Sequence, residues 1–280
     1  AASSRTPFTF QWRFNGAPVP GATAATLPLN NVQVEQDGFY DVVVTDSVGA
    51  VVSQSARLTV LVNPVIVQPP LSQTVVQGGD VTISVGITGN PAPFNYQWRR
   101  GSVILTNVTI NDRVGILTLT NVQPAQGGLS VIYRVVITNA AYGGNAVNAT
   151  FNLTVLTDTD GDGLPDEWEA ANSLQTNAPD AVVDSDLDGQ SNRAEYVAGT
   201  NPQDPLSYLK VEQITGGPAT LQFNAVSNRT YSIQFKPSLD ATSWQKLTDV
   251  AARSTNRLET VVDPQATPGR FYRLATPAQP

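Results

Sequence analysis

The chain of 280 residues has no cysteine, no methionine and no histidine. Without cysteine there is no disulfide framework, no zinc–thiolate site and no thiol nucleophile. Without histidine the commonest general base and the imidazole metal ligands are gone. Lysine occurs only at positions 210, 236 and 246, so Lys–Asn isopeptide cross-links are excluded from everything upstream. No nucleophile–base–orienter set can be assembled, and the composition points away from an enzyme. Paired carboxylates of the glycosidase kind occur only inside two acidic loops described below. Gly78-Gly79 and Gly127-Gly128 are turn signals rather than phosphate cradles. No basic stripe offers a nucleic-acid footprint. No run approaches 18 apolar residues, so no helix is expected to span a membrane. No methionine or signal peptide opens the chain, as in a processed mature protein or an internal fragment.

What is present is mostly β pattern. Runs such as Tyr40–Thr45, Val81–Val85, Gly115–Thr120, Tyr133–Thr138 and Phe151–Val155 are rich in Val, Ile and Thr. Gly, Asn and Pro separate them, and no long helical period appears. The run Tyr208–Pro280 predicts about six further strands. An internal repeat lies in the first half. Phe8–Gly16 (FTFQWRFNG) corresponds to Phe94–Ser102 (FNYQWRRGS), and Leu27–Gly49 to Leu117–Gly143. A period near 90 residues predicts tandem sandwiches rather than a solenoid.

Between these β regions the composition changes. Residues 158–195 hold eight Asp and three Glu against one Arg, a net of −10, while the rest of the chain carries +3. Two twelve-residue loops account for this, DTDGDGLPDEWE (Asp158–Glu169) and DSDLDGQSNRAE (Asp184–Glu195). Each has Asp at positions 1, 3 and 5, Gly at 6, Asp or Asn at 9 and Glu at 12, which is the oxygen cage of an EF-hand-like loop for Ca²⁺. The expected ligands of the first loop are Asp158, Asp160, Asp162, the Leu164 carbonyl, Asp166 directly or through a water, and Glu169. Those of the second are Asp184, Asp186, Asp188, the Gln190 carbonyl, Asn192 and Glu195. Two Ca²⁺ ions are therefore expected, each loop running into a short helix, about 165–173 and 191–198. Neither loop is preceded by a helix, so the pair is expected to stiffen a connector rather than open a groove as a sensor does.

The repeat residues carry a resemblance. The two copies resemble bacterial immunoglobulin-like domains of the intermediate set. Trp12 and Trp98 would sit on strand C, and Tyr40 and Tyr133 would form the tyrosine corner. Val42 and Val135 occupy the positions two residues further on, where other members carry a cysteine. The acidic stretch, ending EYVAGTNP at Pro202, resembles bacterial thrombospondin type 3 or dockerin-like repeats. Its two halves are unequal, unlike a dockerin's matched pair, so the resemblance implies calcium binding rather than cohesin docking. The tail, with Tyr231-Ser-Ile-Gln, Leu239–Trp244 and Phe271-Tyr-Arg, resembles a small sandwich that follows calcium repeats in secreted proteins of Verrucomicrobia-like bacteria. Trp244, Phe271 and Tyr272 are expected in its core. The closing Phe271-Tyr-Arg near Pro280 is expected to mark a natural C-terminus.

The expected architecture is mostly β. It comprises a partial immunoglobulin-like domain at 1–62, a complete one at 63–156, a two-site calcium connector at 157–207 and a terminal β-sandwich at 208–280. The first domain has only 11 residues before Trp12, so strands A and B are missing. They would come either from upstream domains of the same polypeptide or from another copy by head-to-tail strand donation. The expected function is an extracellular or cell-surface structural protein, a calcium-stiffened subunit of a filament, surface layer or adhesin stalk. The alternative is a non-catalytic C-terminal region of a large secreted polysaccharide-degrading enzyme. Copies of itself are the expected partner, with a surface glycan as a further candidate; nucleic acid and a membrane span are not expected.

Overall fold

The computed structural model describes residues 7–143, 146–216 and 219–278. They form two compact units. One holds the chain through Gln73 with Asp80–Thr120 and Ala125–Thr154; the other holds Thr74–Gly79, Asn121–Pro124 and the chain from Val155 onward.

The first unit begins with a single antiparallel sheet of β1 (Thr9–Phe14), β2 (Ala17–Pro18), β3 (Gly38–Thr45), β4 (Ala50–Val52) and β5 (Ala56–Leu58). Its order is β2-β1-β3-β4, with β5 also on β3. Asn15 and Gly16, both at positive φ, turn the β1–β2 hairpin, as a two-residue turn between twisted strands requires. Trp12 pairs with Val42 and Phe14 with Tyr40. The Tyr40 hydroxyl donates to the Gln36 carbonyl at 2.9 Å.

The second part of this unit draws on β6 (Val62–Gln68), β8 (Val81–Asn90), β9 (Phe94–Arg100), β10 (Val103–Ile110), β11 (Val114–Leu119), β12 (Ile132–Thr138) and most of β13 (Val147–Leu156), while β7 (Gln73–Val76) falls almost wholly in the other unit. One sheet runs β10-β9-β12-β13 and the facing one β11-β8-β6. Alternate residues of each strand point inward, burying Ile83, Val85, Phe94, Tyr96, Trp98, Leu117, Tyr133, Val135, Ile137, Phe151 and Leu153. The Tyr133 hydroxyl donates to the Gln126 carbonyl at 2.8 Å, repeating the tie made by Tyr40.

The same residues fare differently in the two copies. Phe94, Tyr96, Trp98, Val135 and Ile137 are fully buried. Their counterparts Phe10, Trp12, Val42 and Val44 are only half-buried, and Phe8 is 57% exposed. Strand pairing differs between the copies as well. In the second copy Leu117 pairs with Ile83 of β8. In the first, the equivalent Leu27-Pro-Leu29 forms no strand. A strand needs a neighbour for its N–H and C=O groups, and no β8 equivalent is there to provide one. The whole facing sheet is absent among the described residues, and the apolar face of β1 and β3 is left open.

Asp37 fastens this open sheet to the complete domain. Its carboxylate accepts from Val60 N–H at 2.9 Å, from Asn90 Nδ2 at 2.7 Å and from Arg57. The Val60 amide, outweighing burial, and then Asn90 and Arg57 hold this carboxyl below the usual carboxylate range. Within the second sandwich, Asn139 donates to the carbonyls of Val62 and Pro91.

The second unit contains α1 (Asp166–Ala171), α2 (Asn192–Ala198), β14 (Gln213–Thr215), β15 (Ala219–Ala225), β16 (Tyr231–Lys236), β17 (Gln245–Val250), β18 (Arg257–Asp263) and β19 (Phe271–Ala275). Two three-stranded sheets, β14-β15-β18 and β17-β16-β19, make the terminal sandwich. Its core is Leu221, Phe223, Ala225, Tyr231, Ile233, Val250 and Val261, with Tyr272 and Leu274 packed against it. Two residues expected in that core lie outside it. Tyr272 and Leu274 take the inward phase of β19, so Phe271 faces out. Trp244 is half-buried, with Lys236 and Arg273 over its ring at 5.3 and 4.5 Å. Asp263, a buried acid of the sandwich, accepts from the Tyr272 hydroxyl at 2.8 Å, from Gln265 N–H at 3.0 Å and from Arg270. Burial alone would raise its carboxyl, but these donors outweigh burial and hold it below the ordinary range.

Two outcomes follow. Trp98→Ala is expected to cost about 3–5 kcal/mol, and Trp12→Ala less than half of that, in urea melts followed by circular dichroism. Equal losses would mean that the open face is covered in solution. Asp263→Asn is expected to lower the melting temperature at pH 7, since removing one partner of a buried ion pair costs about 3–5 kcal/mol. A carboxyl depressed in the folded state stabilises above its unfolded pKa and loses that contribution as pH falls through the folded value. The gap between wild type and variant should therefore close on acidification; a gap constant down to pH 2.5 would contradict the assignment.

Candidate metal centre

The two acidic loops fold in the same way because each Asp caps amides of its own loop. Asp158 accepts from Gly161 N–H at 2.8 Å and from Gly163 N–H at 2.9 Å. Asp160 accepts from Asp162 N–H, and Asp162 from Leu164 N–H. In the second loop Asp184 accepts from the amides of Leu187 and Gly189, Asp186 from Asp188, and Asp188 from Gln190. Gly163 and Gly189 adopt φ of 93° and 95° at the turns, a conformation that glycine takes without strain. Leu164 and Gln190, the expected carbonyl donors, thus follow directly on amide-capped turns.

This winding gathers carboxylates. Ligand atoms of Asp158, Asp160 and Asp162 lie within 4.8 Å of one another, as do those of Asp184, Asp186 and Asp188. A third group, Asp162, Glu169 and Asp180, meets the same limit. Glu169 and Glu195, the closing residues of the loops, are fully buried. Both Glu169 oxygens, Glu195 Oε2, Asp160 Oδ2, Asp186 Oδ2 and Asp188 Oδ2 are buried without a hydrogen-bond partner among the described residues. Burial, followed by the charges of Asp160, Asp162, Asp180 and Asp166, pushes Glu169 up to about 7. Burial, followed chiefly by Asp186 and Asp188, does the same to Glu195. Asp160 is raised too, by burial first and then by Asp162 and Asp158 against the Asp162 amide. Buried anions of one sign with unused lone pairs are costly unless a cation joins them. An all-oxygen donor set of this kind fits a hard divalent ion such as Ca²⁺.

The residues at position 9 make further hydrogen bonds. Asp166 turns to Thr159, accepting from its amide at 2.7 Å and its hydroxyl at 2.8 Å. Burial would raise Asp166, but the Thr159 donors hold it below the ordinary range. Asn192 is fully buried. Its Oδ1 accepts from Ser185 Oγ at 2.8 Å, and its Nδ2 donates to the Asp180 carbonyl at 2.9 Å. Asp180 lies four residues before the second loop, outside either twelve-residue pattern, and no feature of the loop motif singles it out.

The loops interlock. Asp162 Oδ2 accepts the amides of Asp180 and Ala181 at 2.8 and 2.7 Å. Arg193 Nη1 donates to the Asp162 carbonyl at 2.9 Å; a side chain at Gly163 would collide with that guanidinium. Trp168 of α1 and Tyr196 of α2 meet edge to face at 5.2 Å. Ser191 caps α2 by accepting from Ala194 N–H, and Gly199 ends it in the left-handed conformation. There α2 rests on the terminal sandwich. Arg229 donates to the Tyr196 carbonyl at 3.0 Å, and a Cβ on Gly199 would come 2.8 Å from Val226.

Comparison with known proteins follows the same division. Residues 63–139 match the family described as immunoglobulin domain, and residues 158–172 with 184–205 match the bacterial TSP3 repeat. The chain carries an immunoglobulin-like domain and bacterial TSP3 repeats. TSP3 repeats are calcium-binding as a class, and the clustered carboxylates fall within the matched segments apart from Asp180. Among curated proteins, Protein sidekick of Drosophila melanogaster is 31% identical over 91 residues, covering 32% of this chain and 4% of that protein. The Decoration protein of Escherichia phage T5 is 38% identical over 60 residues, covering 21% and 36%. The chain thus spans well under two thirds of either relative. Among solved structures, Dpr11 IG1 bound to DIP-gamma aligns at 21% identity with a TM-score of 0.40, covering 53% of this chain and 83% of that one. The I-band fragment I67-I69 from titin aligns at 19% with a TM-score of 0.36, covering 54% and 56%.

Proposed function

We propose that this is an extracellular structural or adhesion-type protein whose TSP3 connector is ordered by two Ca²⁺ ions. The observation that carries the reading is the set of buried, unpartnered carboxylate oxygens in both loops. The first ion takes Asp158, Asp160, Asp162, the Leu164 carbonyl and Glu169; the second takes Asp184, Asp186, Asp188, the Gln190 carbonyl and Glu195. Asp166 and Asn192 brace the loops from outside the cages. Each ion cancels charge that otherwise forces the loops apart, so ordering and binding form one event. At free calcium about 100 times Kd, each site contributes about 2.7 kcal/mol to the folded state. Because α2 is clasped by Arg229 and seated on Val226, an ordered second loop also anchors the terminal sandwich to the connector.

The open sheet of the first unit supplies the assembly step. Strands equivalent to β6 and β8, coming from outside the described residues, complete it by covering Trp12, Val42 and Val44. A second copy donating head to tail would build a filament; upstream residues of a longer polypeptide would close the domain internally.

Asp158→Ala and Asp184→Ala are each expected to lower the melting temperature in millimolar calcium and to speed proteolysis between residues 157 and 207. A chelator should do both to the wild type. Melting and cleavage that ignore the chelator would remove the ordering role. Electron microscopy in millimolar calcium decides the assembly step. Filaments place the missing strands in a second copy; separate particles place them upstream in the same polypeptide.

A further inference from the structure

We infer that Asp180 is a ligand of the first calcium site, reaching it from outside the twelve-residue loop, and that through Asn192 it couples that site to the second loop. The inference rests on the calcium reading above and assigns a residue that the loop pattern leaves out.

Asp180 shares a 4.8 Å cluster with Asp162 and Glu169. Two oxygens bound to one Ca²⁺ at about 2.3–2.6 Å lie at most about 5 Å apart, so the cluster fits a single ion. Asp162 also belongs to the group with Asp158 and Asp160, and Asp180 therefore joins the first cage rather than founding a third. The independent observation is Glu169. It is fully buried, both its oxygens lack a partner, and it faces the same cluster. The backbone is fixed for the purpose, since the amides of Asp180 and Ala181 both donate to Asp162 Oδ2. Among the described residues the Asp180 carboxylate itself receives Gln175 N–H at 3.1 Å and Asn192 Nδ2 at 3.3 Å. No Lys or Arg pairs with it among the described ion pairs. Asp166, the loop's own candidate, is turned to Thr159 instead.

The same residue reaches the second loop. Asn192 opens α2 and donates to both the carbonyl and the carboxylate of Asp180. Glu195, which closes the second cage, lies on that helix. An ion that holds Asp180 thereby sets the start of α2 and the position of Glu195. The two sites then fill with positive cooperativity, and the coupling is reciprocal.

The test uses the full chain, stripped with chelator and titrated with Ca²⁺ by calorimetry. Asp180→Asn keeps the backbone groups that hold Asp162 and Asn192. It is expected to weaken the first site by about 10-fold or more and to abolish cooperativity. Asn192→Ala should abolish cooperativity alone. Eu³⁺ luminescence lifetimes in H₂O and D₂O, in a background carrying Asp184→Ala to silence the second loop, count the waters on the first ion. Asp180→Ala, which removes the ligating oxygen altogether, should add about one water, and Asp166→Ala none. Unchanged affinity, or weakening without an added water, would overturn the ligand role. A wild type that binds no Ca²⁺ would overturn the calcium reading as well, so the two failures are distinguishable.

Discussion

The second unit turns on one electrostatic constraint. Carboxylates of a single sign are drawn together, and several of their oxygens are sealed from water with nothing to accept from. The backbone enforces this, because each Asp is spent in part on capping the amides of its own turn. The loops therefore cannot relax by swinging their carboxylates outward without giving up the bonds that shape them. Protonation of the two buried glutamates relieves part of the tension; a divalent cation relieves it more fully and returns the lost coordination to every oxygen at once. The aromatic contact of Trp168 with Tyr196 and the Arg193 bridge then have a fixed frame to act on.

A different constraint governs the first unit. A sandwich is stable because two sheets exclude water from each other's inner faces, and the two repeats show the arrangement with and without its second half. Similar side chains on equivalent strands are enclosed in one copy and half-open in the other. The tyrosine corner survives in both, since it is made locally between the strand and the turn before it. The paired strand at Leu117 does not survive at Leu27, since it depends on a partner far away in sequence.

Much of this was legible in the sequence, and what was not has identifiable reasons. Alternating β-branched runs located the strands from Tyr40, Val81, Tyr133 and Phe151 because inward and outward residues differ in polarity along them. The acidic loops were legible because cation ligation fixes residue type at fixed spacing. Asp180 was hidden because its place depends on the chain folding back between the loops. Asp166 obeyed the spacing yet turned to Thr159, because spacing does not report which way a short side chain points. Phe271 and Tyr272 are adjacent in one strand, where successive side chains point to opposite faces, so both could not enter the core, and Tyr272 is the one packed there. Trp244 is half-buried beneath Lys236 and Arg273, neighbours brought to it by the pairing of distant strands.

The way the connector is spliced in has a mechanical corollary. A single residue, Thr157, separates the end of β13 at Leu156 from Asp158, and Arg229 clasps the far side at Tyr196. Tension carried along the chain would run through both acidic loops. The 38 residues from Asp158 to Glu195 could extend to about 130 Å of contour if the cages opened, at roughly 3.4 Å per residue. On the calcium reading proposed above that length stays stored while the loops are occupied, which would make local calcium concentration a control on how far this segment can be stretched.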